Sequence, residues 1–108
     1  MNTWGKCIEI YELPEGKKPF IEWMESLDKS VRYRIKERLD RVRLGNLGDY
    51  KNVGKGVFEL RLNFGSGYRI YFGQQGKTLV LLLCDGDKAS QQKDIKLAQQ
   101  YWQDYLEE

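Results

Sequence analysis

The stretch GVFELRLNFGSGYRIYFGQQGKTLVLLLC, residues 56–84, decides the fold. Phe58, Leu60, Leu62 and Phe64 alternate with Glu59, Arg61 and Asn63, and after Gly65-Ser66-Gly67 the residues Tyr68, Ile70 and Phe72 alternate with Arg69 and Tyr71. Successive side chains of a strand point to opposite faces, so two such runs joined by a glycine turn predict a β-hairpin. Gln74-Gln75-Gly76 then turns the chain into Thr78 to Cys84, a continuous apolar run that reads as a central strand buried on both faces. Together these segments predict a three-stranded meander.

On the N-terminal side, Ile8 and Ile10 alternate with Glu9 and Tyr11, which predicts a strand from about Cys7 to Glu12, and Pro14 to Pro19 forms a connector. After Pro19, which suits a first helical turn, Phe20, Trp23, Met24 and Leu27 fall at i, i+3, i+4 and i+7. Asp28 or Ser30 can cap a second helix with the stripe Val31, Ile35, Leu39 and Val42, and Gly45 offers its left-handed exit. On the C-terminal side, from about Ala89 or Ser90, Ile95, Ala98, Trp102 and Tyr105 or Leu106 recur with helical spacing. The expected fold is α+β in the order β-α-α-β-β-β-α, an antiparallel sheet with a helical hairpin and a C-terminal helix.

A length of 108 residues matches a single domain spanning 1–108, and 41% hydrophobic with 31% charged residues is an ordinary globular balance. The longest apolar run, Leu79 to Cys84, is far shorter than a bilayer span, and Met1 to Lys6 lacks a signal-peptide core, so a cytoplasmic location without membrane contact is expected. Cys7 and Cys84 each sit in a strand-like run and read as small buried hydrophobes. Zero histidines exclude serine-histidine triads and histidine-dependent nucleases, and remove the commonest zinc ligand.

The net charge of +2 hides a segregation along the chain. Residues 29–77 hold twelve Lys or Arg against four acids, so +8, and the remainder carries six bases against twelve acids, so −6. A concentrated basic middle suggests a polyanion partner. On the second helix Arg34, Arg38 and Arg41 share one polar face and Arg32, Lys36 and Arg43 another, which a solvated surface explains as well as nucleic acid does.

If Phe58, Leu60 and Leu62 face the helices, Glu59 and Arg61 must face the other way, and Arg69 and Tyr71 of the partner strand emerge beside them on an open face. The loop Asp85-Gly86-Asp87-Lys88 sets Lys88 or an aspartate at its rim. A cross-strand Glu-Arg pair on a wet sheet accounts for the same residues without function. Gly76-Lys77-Thr78 is no phosphate-binding P-loop, since Tyr71 stands where its first glycine belongs and a strand follows. Gly65-Ser66-Gly67 is no dinucleotide fingerprint, since Ile70 replaces the third glycine. Asp85 and Asp87 lack the further oxygen ligands that a hard metal needs, so no metal and no cofactor are expected.

The segments GVFELRLNFGSGYRIYF and LVLLLCDGDKASQQKDIKLAQQYW resemble the RelE/ParE superfamily of bacterial toxins, and most of all its HigB-like, phage-related addiction-module killer proteins. The resemblance covers nearly the whole chain and rests jointly on the ELR, GYR and GDK…Q…DI…A elements. It implies a RelE-like sheet with helices, and a type II toxin that cleaves messenger RNA, often on the ribosome, so inhibiting translation until a cognate antitoxin sequesters it. The antitoxin is expected to be a small helix-turn-helix protein, and any operator DNA is contacted through it alone. By the same resemblance the arginine of GYR is Arg69, the basic strand position is Arg61, and the loop cation is Lys88; where some members carry a lysine, this chain has Glu59. The superfamily also contains gyrase-directed toxins, which makes a gyrase-binding or catalytically inactive protein the alternative.

The chemistry can be argued from the residues. RNA cleavage by its own 2'-hydroxyl needs a proton removed, charge stabilised at phosphorus and help for the departing 5'-oxygen. Arg61 and Arg69 suit the phosphate through bidentate hydrogen bonds. With no histidine, the base is Glu59 or a lysine of lowered pKa, and Lys88 could neutralise the leaving oxygen. Tyr71 is placed to stack on a base or to pack across strands, and Lys55, Arg34, Arg38 and Arg41 complete the expected RNA-binding set.

Overall fold

The computed structural model describes residues 6–108 except Ser66 and Asp87, and of Lys88 the backbone alone. Strands β1 (Cys7–Ile10), β2 (Tyr50–Gly54), β3 (Val57–Arg61), β4 (Arg69–Gln75) and β5 (Thr78–Asp85) form one sheet in the order β1-β5-β4-β3-β2. Helices α1 (Pro19–Glu25) and α2 (Lys29–Arg43) lie between β1 and β2, and a short 3-10 turn (Lys88–Ser90) leads into α3 (Gln91–Glu107). This is the expected α+β order with one strand more. The meander is antiparallel, but β1 joins β5 in parallel, so the sheet is mixed. A parallel neighbour requires a crossover, and the helical hairpin and the meander together supply it.

The alternation in β3 and β4 sorts side chains as the sequence predicts. Leu60, Leu62, Ile70, Phe72, Leu79 and Leu81 pack with Phe20, Met24, Ile35, Leu39 and Val42 of the hairpin helices. Pro19 occupies the first turn of α1, Asp28 sits at the N-cap of α2, and Gly45 takes φ 96° just beyond it. The opposite face is not open. Val57, Tyr71, Val80 and Leu82 pack beneath Ala98 and Trp102 of α3, which closes that side. Trp102 lies so close over Gly73 that a Cβ there would run into its ring.

An irregularity redirects the end of β5. The register of β4 against β5 shifts between Tyr71 (opposite Leu83) and Phe72 (opposite Leu81), leaving Leu82 as an extra residue. Strict alternation from Leu79 and Leu81 would aim residue 85 at the hairpin helices. The bulge reverses the parity, so Cys84 joins the hairpin-side core and Asp85 faces the α3 side opposite Arg69.

Both cysteines are free; Cys84 is buried, whereas Cys7 is exposed at the start of an edge strand rather than buried as expected. Among the described residues no helix is long and apolar enough to cross a membrane.

Candidate active site

Register brings the expected residues together. Glu59 pairs with Tyr71 across β3 and β4, Arg61 with Arg69, and Arg69 with Asp85 across β4 and β5. All of them lie on the α3 side, Tyr71 within the apolar contact with Ala98 and Trp102 and the charged residues outside that cluster.

Glu59 is the centre of the cluster and has 0% of its side chain exposed. Its Oε2 accepts from Arg61 Nε at 3.1 Å and faces Lys51 Nζ at 3.9 Å. Its Oε1 accepts from Gln91 Nε2 at 2.9 Å and faces Arg69 Nε at 3.4 Å. A carboxylate taken out of water needs such partners, and here they occupy both oxygens. Glu59 is therefore the buried post around which three cations gather.

The exposure of those cations is graded. Arg69 is 9% exposed and is gripped a second time by Asp85, Nη1 to Oδ1 at 3.0 Å. Arg61 and Lys51 are 45% and 52% exposed and stand with Arg69 along a cleft of about 400 Å³ whose other walls include Asn63, Tyr68 and Gln91. The cleft gathers three cations around a buried carboxylate, with Asp49 also on its wall, and the guanidinium planes have the geometry that pairs with phosphate.

Tyr71 does not belong to that surface. It is fully buried, and its hydroxyl donates to Asp85 Oδ2 at 2.8 Å; burial and the Asp85 carboxylate push its pKa upward. Of the two expectations for Tyr71, packing across strands holds and stacking on a base does not, for no face of the ring is accessible. Tyr68 is the aromatic side chain that lines the cleft, packing against Trp23 and Phe64 at ring-centroid distances of 5.6 and 5.7 Å. Its membership in the alternating apolar set concealed it.

Arg38 lies deeper than the other cations of α2. Its side chain is buried, its Nη2 donates to the carbonyls of Asp49 and Arg61, and its guanidinium lies against Gly48. It fastens α2 to β3 while lining the same hollow as Arg34 and Arg41. Arg34 and Arg41 line a neighbouring hollow of about 250 Å³ that shares Asn63 with the cleft, and the Arg34 guanidinium sits 4.4 Å above the Phe64 ring. Lys55 stands apart, with Lys96 and Gln99 in a different hollow. Asp87 and the side chain of Lys88 lie outside the described residues.

Sequence reasoning missed Lys51 and Gln91 as members of the cluster, and it placed an aspartate of the 85–88 loop at the rim without singling out Asp85. The signal for Asp85 was the bulge, which an unbroken apolar run does not display. Gln91 opens α3, and its role emerges only once that helix is known to cover the charged face.

The model of the family described as phage derived protein Gp49-like (DUF891) matches residues 22–103, which include Lys51, Glu59, Arg61, Arg69, Asp85 and Gln91. A protein of Haemophilus influenzae, named only "Uncharacterized protein", is 46% identical over 80 residues, covering 73% of this chain and 81% of its own length. The chain belongs to the phage-derived Gp49-like family, which is of the toxin-antitoxin toxin type with a RelE/HigB-like fold.

Proposed function

We propose that the protein is the toxin of a bacterial type II toxin-antitoxin pair and acts as an endoribonuclease on messenger RNA, associated with the ribosome, until a cognate antitoxin sequesters it. The observation that carries this reading is the cleft in which buried Glu59 holds Lys51, Arg61 and Arg69 at graded depth. Arg61 and Lys51 grip the phosphate on either side of the scissile bond, and Arg69 opposes the charge that grows at phosphorus as the 2'-hydroxyl attacks. Tyr68 supports the unstacked base beside it, and Arg34 and Arg41 guide the next phosphates across α2. With both oxygens of Glu59 engaged by these partners, proton transfer falls to an amine, Lys51 at the cleft edge or Lys88 in the loop after β5.

The test is to add the purified chain to a reconstituted translation system and map the ends of the message. The expected product ends in a 2',3'-cyclic phosphate. An intact message overturns the proposal, as does a 5'-phosphate on the downstream fragment; loss of gyrase supercoiling beside an intact message would assign the gyrase-directed alternative.

A further inference from the structure

At the β1 edge of the sheet, the hairpin side carries an apolar groove of about 320 Å³ that the proposed reaction does not use. Ile8 and Ile10 of β1 form one wall, and Ile21 and Met24 of α1 with Leu39 of α2 form the other. The rim holds Arg32, Lys36 and Arg43, the second cationic face of α2, against one acid, Glu25. Arg43 is shared with Asp40 at 3.1 Å, whereas Arg32 and Lys36 have no ion-pair partner among the described residues. The Arg43 carbonyl accepts from Lys6 N–H at 2.7 Å, so this row of cations starts at the head of β1. Arg32 stands about 16 Å away along the helix axis, the reach of about five extended residues.

The strand beside this groove has a free edge. Cys7 N–H donates to the Lys77 carbonyl at 2.8 Å and Tyr11 N–H to the Leu81 carbonyl at 2.9 Å, both toward β5. Backbone groups of successive strand residues point to opposite edges, so Ile8 and Ile10 direct their N–H and C=O groups away from β5, where no further described strand lies. The other edge of the sheet is blunted, for β2 carries Lys51 and its register against β3 shifts between Asn52 and Gly54. β1 pairs with β5 without a break, and Ile10 stays 36% exposed beside the groove.

From this geometry we infer that β1 is a docking edge for an extended acidic segment of a partner protein, which adds a strand beside Ile8 and Ile10, sets apolar side chains in the groove and brings carboxylates to Arg32, Lys36 and Arg43. Main-chain pairing supplies the affinity, and the groove with its cations selects the sequence. Nucleic acid fits less well, since the aliphatic walls offer a base neither a ring to stack on nor a hydrogen-bonding edge. The groove and the cleft have no lining residue in common, so the inference stands independently of the RNA reading.

The probe is a short synthetic peptide whose alternate positions run glutamate, valine, valine, glutamate, with threonine between them. It is titrated into the full chain, and binding is followed by calorimetry and by amide hydrogen exchange. The Ile8 and Ile10 amides should exchange about tenfold more slowly in the complex, while those of Arg61 and Arg69 are unaffected. The same peptide N-methylated at the amides that would face β1 should not bind, which tests strand addition on the unaltered chain. Replacing Arg32→Glu together with Lys36→Glu should weaken the original peptide about tenfold, the scale of reversing two exposed charges. Absence of binding, equal affinity for the N-methylated peptide, equal affinity of the doubly substituted chain, or protection confined to the cleft overturns the inference. So does a dimer of the free chain with Ile8 and Ile10 already protected, which would give the edge to a second copy, or displacement of the peptide by an oligoribonucleotide, which would give the groove to nucleic acid.

Discussion

The two faces of the sheet are built from the same strands and solve opposite problems. Toward α1 and α2 the cluster around Ile35, Ile70 and Phe72 is apolar, and the buried cation of α2, Arg38, is met by backbone carbonyls. Toward α3 the face is divided: Val57, Val80 and Leu82 pack beneath Trp102, while Glu59, Arg69 and Asp85 are buried as charges at the end near the start of α3. The first face draws its stability mainly from contact area. The second must neutralise what it buries, and neutralising a carboxylate with arginines is also what gathers cations at one cleft.

Removing the centre of the charged region should have the largest effect. Glu59→Ala leaves Arg69 and Gln91 with unmet partners, and an expected loss of about 3–5 kcal/mol exceeds what a surface ion pair could give. Urea unfolding measures it; a loss below about 1 kcal/mol would show that the cluster is hydrated and the contrast between the faces false. The apolar end of the same face can be broken separately. Gly73→Ala drives a methyl into Trp102 and should cost about 1–3 kcal/mol while sparing the cleft, since Trp102 must shift and α3 with it. An unaffected melting midpoint would mean that α3 lies more loosely on β4 than the contact implies.

A smaller change sharpens the electrostatic account by its sign. A carboxyl whose pKa is raised on folding favours the folded state fully at low pH, and this contribution is lost as pH rises through the folded value, here about 6. Replacing it with a neutral amide removes that loss. The melting midpoint of Asp85→Asn relative to the wild type should therefore improve between pH 5 and pH 7.5, as calorimetry at the two pH values can establish. A relative midpoint that falls over this interval would place the titration on another group.

The same contrast governs how legible these regions were in the sequence. The hairpin side was readable because apolar residues at periods of two and of 3.6 have one physical explanation, burial. The α3 side was misread as open because Glu59, Arg61 and Arg69 are residues that ordinarily seek water, and single-residue tendencies do not register mutual neutralisation. A counter-signal was present: the unbroken run from Leu79 to Cys84 demanded a cover on both faces, and the helix carrying Trp102 was the amphipathic element left to provide it. The strand Tyr50–Gly54 escaped notice because its first three residues are exposed and alternate nothing, as suits an edge held only by β3. Arg38 was legible as a cation and not as a strut, since its partners are backbone carbonyls that no side-chain pattern announces.

The central claim is that a buried post presents exposed cations to an RNA phosphate, and Arg61 tests it most directly. Unlike Arg69, whose loss would strand Glu59 and Asp85 in the interior, Arg61 is half exposed, and Glu59 keeps its other donors when Arg61 is removed. Cleavage of a message in a translation system should be measured for the wild type and Arg61→Ala side by side, with melting midpoints recorded for both. The account predicts that the wild type cuts and that Arg61→Ala cuts about a hundredfold more slowly, the scale of losing one preorganised donor to the transition state, while its midpoint falls by only a few degrees. Equal rates for the two folded proteins, or a folded wild type that leaves the message whole, would contradict it.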